Sequence, residues 1–167
     1  MTRRLTLRVG LALIALAMAA SPVLAGGGFN FRSPLSGDAE RPVPVDTDAA
    51  GVATYKLNDA ETELTYRLIV ANIDGVTQSH IHCGSPEVAG PVVAFLFGFN
   101  AAGVTVNGVL AEGTITAANV IPRADSAACP GGVANLADLI EKLRTGGAYT
   151  NVHTLEWPGG EIRGHIF

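Results

Sequence analysis

Residues 51–71 read GVATYKLNDAETELTYRLIVA and indicate the fold class most clearly. Both halves of this stretch, residues 51–57 and 62–71, are rich in the β-branched and aromatic residues that favour strands. In the second half, apolar and polar residues alternate from Leu64 to Val70, the period that is typical of a half-buried strand. The polar residues NDAE between the halves favour a turn. The segment therefore predicts an antiparallel β-hairpin.

Short runs of similar composition continue to the C-terminus, separated by glycine, proline and other turn residues. Many short strands with turns between them are typical of sandwiches and barrels of antiparallel strands. We therefore expect an all-β fold, an antiparallel β-sandwich with an Ig-like or superoxide-dismutase-like Greek key. The further predicted strands are residues 77–83, 91–97, 109–115, 149–155 and 161–167.

One short helix is predicted within residues 135–144. Apolar residues recur there at helical spacing from Leu136 to Leu143, and Gly146 follows as a residue that commonly ends a helix. The opposite face carries charged residues, so we expect the helix to lie on the surface of the sheet.

The first residues have the layout of a secretory signal peptide. A basic start with three arginines is followed by an uncharged apolar run and by SPVLA at residues 21–25. We expect cleavage between Ala25 and Gly26, and hence a periplasmic or secreted mature chain. The alternative is an uncleaved anchor, but the apolar run of about 12 to 16 residues is shorter than the roughly 20 needed to span a bilayer.

After the predicted signal peptide, residues 1–25, the chain is divided into two parts. The glycines at its start predict a flexible leader over residues 26–33, and the folded domain is predicted to span residues 34–167. No segment of the mature chain is long and apolar enough to span a membrane.

Removal of the signal peptide makes the chain strongly acidic. It removes three arginines and no acidic residue, which leaves 8 Lys and Arg against 15 Asp and Glu and a formal net charge of −7. Nucleic-acid phosphates and anionic lipids are bound by clustered Lys and Arg. This charge balance therefore argues against both as partners.

Cys83 and Cys129 are the two cysteines of the chain. In an oxidising compartment an even number of cysteines favours a disulfide, here one that fastens the predicted loop of residues 121–133. The alternative is that Cys83, which directly follows a pair of histidines, provides a thiolate ligand to a metal ion.

Short motifs built on Gly, His and Asn occur in order along the chain. They are LSG at 35–37, GVATY at 51–55, HIHCG at 80–84, GPVV at 90–93, YTNVHT at 149–154 and PGGEIRG at 158–164. In this order and separation the motifs resemble the CHRD (chordin-type) domain, and the resemblance covers residues 34–167.

The resemblance implies an exported binding module, because the family is similar to extracellular modules of chordin and has no agreed reaction. Two residues depart from the family pattern: His165 stands where glutamine is more usual, and Cys83 directly follows the histidine pair. Glu161 and Arg163 alternate on one strand face, where a charge-assisted pair would order the C-terminal hairpin. The motif residues with an expected structural role are Gly84, Asn151, Glu161, Arg163 and Gly164.

All four histidines lie in or near these motifs. His80 and His82 are two residues apart on a predicted strand and point to the same face. If the hairpin that carries His153 and His165 neighbours that strand, the imidazoles converge on one site for copper or zinc. The structural alternative is that the rings hydrogen-bond to carboxylates such as Glu161, or to loop carbonyls, and hold the sheet together.

Three functions follow from these observations. We expect first a non-enzymatic binding module of the cell envelope or extracellular space, whose partner is a protein, another copy of the chain or a surface polymer. The alternative is a periplasmic copper- or zinc-binding protein that uses the histidines. The third is a metalloenzyme of oxidative-stress type, since a His-x-His pair also begins the copper site of copper–zinc superoxide dismutases. No nucleophile elbow or phosphate-binding glycine loop occurs, so no catalytic residue is assigned.

Overall fold

The structure, a computed structural model, describes residues 30–167 of the chain. The predicted signal peptide and the first residues of the predicted leader lie outside the described residues. No helix in the described range is long and apolar enough to cross a membrane.

The described chain folds into eight strands and one α-helix, which confirms the all-β prediction. The alternation in the hairpin segment and the short apolar runs after it produce strands close to the predicted bounds. These elements are β1 (Asn30–Ser36), β2 (Ala50–Leu57), β3 (Leu64–Ala71), β4 (Val76–Cys83), β5 (Val92–Phe97), β6 (Gly108–Ile115), α1 (Leu136–Thr145), β7 (Ala148–Thr154) and β8 (Ile162–His165).

All eight strands belong to one antiparallel sheet in the order β5-β4-β7-β8-β1-β2-β3-β6. The sheet rolls until its edge strands β5 and β6 contact each other. Tyr66 on β3 donates from its hydroxyl to the carbonyl of Leu96 on β5 at 2.8 Å, across the resulting gap. The two expected layers are therefore opposite sides of one rolled, barrel-like sheet.

Strand β1 begins within the stretch that the sequence assigns to the leader. It pairs with β2 from Asn30 to Ser36, and Phe31 and Ser33 are buried. The hydroxyl of Ser33 donates to the carbonyl of Gly164 at 2.7 Å. Residues 30–33, which the sequence assigns to the leader, therefore belong to the sheet, because alternate side chains of this segment face the core.

Helix α1 has the predicted position and ends. The Asn135 side chain accepts a hydrogen bond from the backbone N–H of Asp138 at its start, and Gly146 ends it with a left-handed φ of 74°. Its polar residues face solvent, while one face packs into the core. That face consists of Leu136, Leu139, Ile140 and Leu143.

The three neighbouring strands β4, β7 and β8 have buried residues on both faces. Ile81, Val152 and Ile162 belong to the hydrophobic core inside the rolled sheet. Because side chains alternate along a strand, the residues between these positions lie on the outer face. That face is buried as well, since loops that carry Gly90 and Pro158 lie against it.

A disulfide joins Cys83, at the end of β4, to Cys129 in the loop between β6 and α1. This confirms the predicted pairing. The sulfur of Cys83 is therefore not a thiolate ligand, and the bond instead holds the loop against the strand that carries the histidine pair.

Candidate metal centre

The register of β4, β7 and β8 determines which outer-face side chains meet. Residues directly opposite each other on neighbouring strands are in contact, and each further strand adds about 4.8 Å. Two cross-strand rows run over all three strands, and a third covers β4 and β7. The rows are His82–Tyr149–His165, His80–Asn151–Arg163 and Gln78–His153.

Three histidines converge on this face. His80, His82 and His153 each offer one ring nitrogen, and these nitrogens all lie within 4.8 Å of one another. Nδ1 of His80 and Nε2 of His153 lie 3.2 Å apart. Nitrogens bound at about 2 Å to one ion are roughly 3 to 4 Å apart, so small side-chain rotations bring all three within reach. The cluster is therefore able to hold one metal ion.

Backbone carbonyls orient two of these rings. Nδ1 of His82 contacts the carbonyl of Gly90 at 2.8 Å, and Nδ1 of His153 contacts the carbonyl of Pro158 at 2.9 Å. A carbonyl only accepts hydrogen bonds, so each Nδ1 must carry the proton, which leaves Nε2 of each ring unprotonated. Histidines that bind metal ions commonly have this arrangement, with one nitrogen donating to a carbonyl and the other facing the ion.

The remaining hydrogen bond follows from the same reasoning. Nε2 of His153 is an acceptor, so Nδ1 of His80 donates to it, and Nε2 of His80 is then unprotonated. Nε2 of His80 and Nε2 of His82 are buried and have no hydrogen-bond partner in the described part of the chain. A buried acceptor without a partner costs about 1–3 kcal/mol, a cost that a bound cation removes.

Burial keeps the three rings neutral. Desolvation lowers the pKa of His80 to about 3 and that of His82 to about 4, and it lowers the pKa of His153 as well. Neutral imidazole is the form that binds metal ions. No proton therefore has to be displaced from these lone pairs at neutral pH.

Aromatic rings surround the cluster. The ring of Tyr149 stacks on His82 with centroids 4.8 Å apart and an interplanar angle of 11°. The edge of Phe95 contacts His80, with centroids 4.6 Å apart. On the other side of Tyr149, the Arg163 guanidinium lies 4.1 Å from the ring centroid. The result is a stack of Arg163, Tyr149 and His82 beside the candidate site.

His165, the fourth candidate ligand, is not a member of the cluster of His80, His82 and His153. It shares the outer face, but β7 separates its strand from β4, and Tyr149 stands between it and His82 in the same row. Its Nε2 instead contacts the carbonyl of Gly146 at 2.6 Å, at the end of α1. His165 thus connects the sheet to the helix.

The predicted ion pair between Glu161 and Arg163 does not form. The carboxylate of Glu161 accepts a hydrogen bond from the Thr47 hydroxyl at 2.8 Å, and the Arg163 guanidinium donates to the carbonyls of Pro86 and Val88. The two side chains therefore fasten different loops to the hairpin. No carboxylate contacts a ring of the cluster within residues 30–167.

The other motif residues have structural positions. Asn151 donates to the Glu40 carboxyl at 2.6 Å, and burial raises the pKa of Glu40 to about 7. Gly84 has a φ of 149°, and its N–H donates to the carbonyl of Gly147 at 2.9 Å. Gly164 lies against β1, where a Cβ would come within 1.8 Å of the Pro34 carbonyl oxygen.

The geometry has features of both the structural and the metal-binding interpretation of the histidines. Loop carbonyls do hold His82, His153 and His165, as the structural alternative expects. These bonds occupy only one nitrogen on each ring, however. Nε2 of His82 has no partner, and Nε2 of His153 is bonded to His80 within the cluster. The same contacts that stabilise the loops thus orient two of the three candidate ligands, His82 and His153.

Sequence reasoning did not identify the residues around the cluster. Tyr149 begins the YTNVHT motif, but nothing in the sequence indicates that its ring covers His82. The carbonyl groups of Gly90 and Pro158 carry no side-chain signal, because any residue supplies a carbonyl. Glu40 is 111 residues from Asn151, and no local pattern connects the two.

The fold and the site define an all-β domain with a rolled antiparallel sheet and a buried cluster of three histidines on its outer face. The family model of the CHRD domain matches residues 31–166, so the chain belongs to the CHRD domain family. No curated protein and no solved structure matches the chain with significant similarity.

Proposed function

We propose that this CHRD domain is a non-catalytic, exported binding module whose ligand is a single copper or zinc ion. The ion is held by His80, His82 and His153. The observation that carries the proposal is the pair of buried Nε2 atoms on His80 and His82 that lack a partner beside His153.

The orientation and the protonation state of the candidate ligands support this function. Two of the three rings are oriented by carbonyls through Nδ1, and desolvation disfavours their protonation. A cluster with a purely structural role would satisfy its second nitrogens with donors from the protein, because unpaired buried acceptors are destabilising.

The chemistry of the donors supports copper or zinc. Three imidazoles suit both metals, whereas calcium and magnesium prefer oxygen ligands. The disulfide next to His82 supports export, since disulfides persist mainly in oxidising compartments. The layout of residues 1–25 supports it independently.

Asparagine substitutions test the ligands while retaining the hydrogen bonds to the loop carbonyls. The side-chain amide of Asn occupies the position of Nδ1, so His82→Asn and His153→Asn keep a donor for Gly90 and Pro158 but lack the ligand atom. We expect the purified wild-type domain to bind one Cu or Zn ion per chain, and each variant to bind at least 100-fold more weakly. Equilibrium titration in competition with a chelator of known affinity measures this.

His165→Asn is the matched control. It makes the same chemical change on the same face, but outside the cluster, so we expect unchanged metal affinity. Circular dichroism and thermal unfolding establish that all three variants fold. A folded wild-type domain with no copper or zinc binding tighter than ~10 µM would contradict the proposal, as would equal loss of affinity in His165→Asn.

The proposal that the domain is non-catalytic has its own test. The metal-loaded domain is expected to remove superoxide no faster than an equal concentration of His82→Asn incubated with the same metal. Turnover that is present in the loaded wild type and absent in the variant would instead favour the metalloenzyme hypothesis.

A further inference from the structure

We infer that the three-histidine site selects copper as Cu(I), in preference to both Cu(II) and Zn(II). This inference rests on the proposed metal-binding function and adds the oxidation state of the ion. It derives from the charges of the groups around His80, His82 and His153.

The ligands supply no negative charge. All three are neutral imidazoles, and both cysteines of the chain are joined in a disulfide. Within the described range no carboxylate contacts the rings. Outside the cluster, the hydrogen-bond partners of the rings are backbone carbonyls. In many zinc sites a carboxylate accepts the hydrogen bond from the ring nitrogen that does not bind the metal. A bound ion therefore keeps its full charge.

The charged groups that act on His82 are cations. The Arg163 guanidinium lies on the far side of the Tyr149 ring that stacks on His82. Nε of Arg123 donates a hydrogen bond to the carbonyl of Val92 at 2.6 Å. Val92 is the residue on β5 that pairs with His82. Each of these cations repels positive charge at the His82 ring.

These surroundings penalise a divalent ion more than a monovalent one. The cost of moving an ion from water into a medium of low dielectric grows with the square of its charge, and repulsion from a neighbouring cation grows in proportion to it. Anionic ligands normally offset this cost for Cu(II) and Zn(II), and none are present. Burial beside two arginines therefore favours the ion of lower charge.

The number of ligands points in the same direction. Zn(II) in proteins is almost always four-coordinate and would have to recruit a water molecule beside three histidines. Cu(I) has a filled d shell and forms stable three-coordinate complexes with imidazoles.

Affinity measurements on the wild-type domain test the preference directly. Cu(I) is titrated without oxygen against a chromogenic Cu(I) chelator, and Zn(II) against a zinc-binding dye at the same pH. We expect the dissociation constant for Cu(I) to be at least 100-fold lower than that for Zn(II). A Zn(II) constant equal to or lower than the Cu(I) constant would overturn the inference.

Removal of one positively charged side chain tests whether electrostatic repulsion causes the preference for Cu(I). In Arg123→Gln we expect the ratio of Cu(I) to Cu(II) affinity to fall about tenfold, which lowers the reduction potential of bound copper by about 59 mV. Arg67→Gln is the control, because it removes the same charge from the exposed ion pair with Glu112. Arg67 lies on β3, which pairs with none of the histidine-bearing strands. An equal shift in both variants, or none in Arg123→Gln, would contradict the electrostatic explanation.

The outcomes separate the two proposals. If neither metal binds, the proposed function itself fails. If zinc or Cu(II) binds tightly to His80, His82 and His153 while Cu(I) does not, the metal-binding function stands and only the choice of oxidation state is wrong.

Discussion

An imidazole ring has two nitrogens, and at His82 and His153 the two have different partners. Nδ1 donates to a loop carbonyl, whereas Nε2 faces the cluster. The hydrogen bond determines the tautomer and the direction of the ring. Nε2 is therefore unprotonated and directed toward the cluster before a metal ion binds. A single residue type thus provides both loop attachment and a metal ligand.

Burial of the histidines makes the metal-free domain sensitive to acid. The unfolded chain binds protons on its histidines with pKa values near 6.5, whereas the folded protein has values of about 3 for His80 and about 4 for His82. Between these values the unfolded state binds more protons. We therefore expect the free energy of unfolding to fall as pH drops below 6.5, by up to about 1.4 kcal/mol per pH unit for each histidine.

Urea unfolding of the metal-free domain between pH 4.5 and 7.5 measures this dependence. Comparison with His82→Asn isolates the contribution of one histidine, because every other titrating group is present in both proteins. Among these, Glu40 has a raised pKa of about 7 and contributes a slope of opposite sign between pH 4.5 and 7. Identical pH slopes in the two proteins would show that His82 is not held neutral by the fold.

At the scale of single residues, three of the four predicted ligands come together. The His-x-His pattern identifies a shared face because alternation along a strand is a local property. His153 joins the pair since β7 pairs directly with β4, but His165 does not, because Tyr149 occupies the intervening position. Local sequence contains no information about which strand lies in between.

Among the elements, the junction of β8 with β1 depends on one glycine. Close to the pairing of Ser36 with Arg163, the carbonyl oxygen of Pro34 lies only 1.8 Å from the position of a Cβ on Gly164. No side chain fits there. A glycine is therefore required for the two strands to approach each other and for the sheet to continue from the histidine-bearing strands to β1.

We accordingly expect Gly164→Ala to destabilise the domain by about 3 kcal/mol or more, because backbone must move to admit the methyl group. Gly98→Ala is the matched control, since a Cβ at that position meets no atom within 4 Å. Thermal or urea unfolding of both variants provides the measurement. Equal stability of the two would contradict the close approach of β8 and β1.

For the elements, the sequence predicted most strands, the helix and the glycine that ends it close to their observed positions. Composition, alternation and capping signals act over a few residues, which makes them readable in the chain. Strand β1 was the exception, because the glycines before it resemble a linker and Phe31 alone gives a weak pattern. Its burial depends on β2 and β8, which no local signal encodes.

The whole molecule is proposed to act after export, where its cysteines are oxidised. We expect a bacterial host that expresses the full chain to yield a periplasmic or secreted protein that begins at Gly26 and contains the Cys83–Cys129 disulfide. Intact mass and N-terminal sequencing of fractionated cells check both features. A precursor with Ala25→Arg is the control, and we expect it to remain uncleaved.

A retained N-terminal segment on the wild-type protein, or reduced cysteines in the cytoplasmic fraction, would contradict export. The disulfide also bears on stability, since it closes a separation of 46 residues. A loop of this length is worth about 4 kcal/mol in the chain-entropy description.

Local patterns alone were sufficient for the strand-rich composition, the helix, the disulfide partners and the histidine pair. They sufficed because period, capping and cysteine number are properties of neighbouring residues or simple counts. Tertiary structure decided that one sheet rolls up on itself, that β7 separates His82 from His165, and that Tyr149, Arg163 and two carbonyls surround the cluster. Those features depend on the order of strands in the sheet, which is set by contacts between residues far apart in the chain.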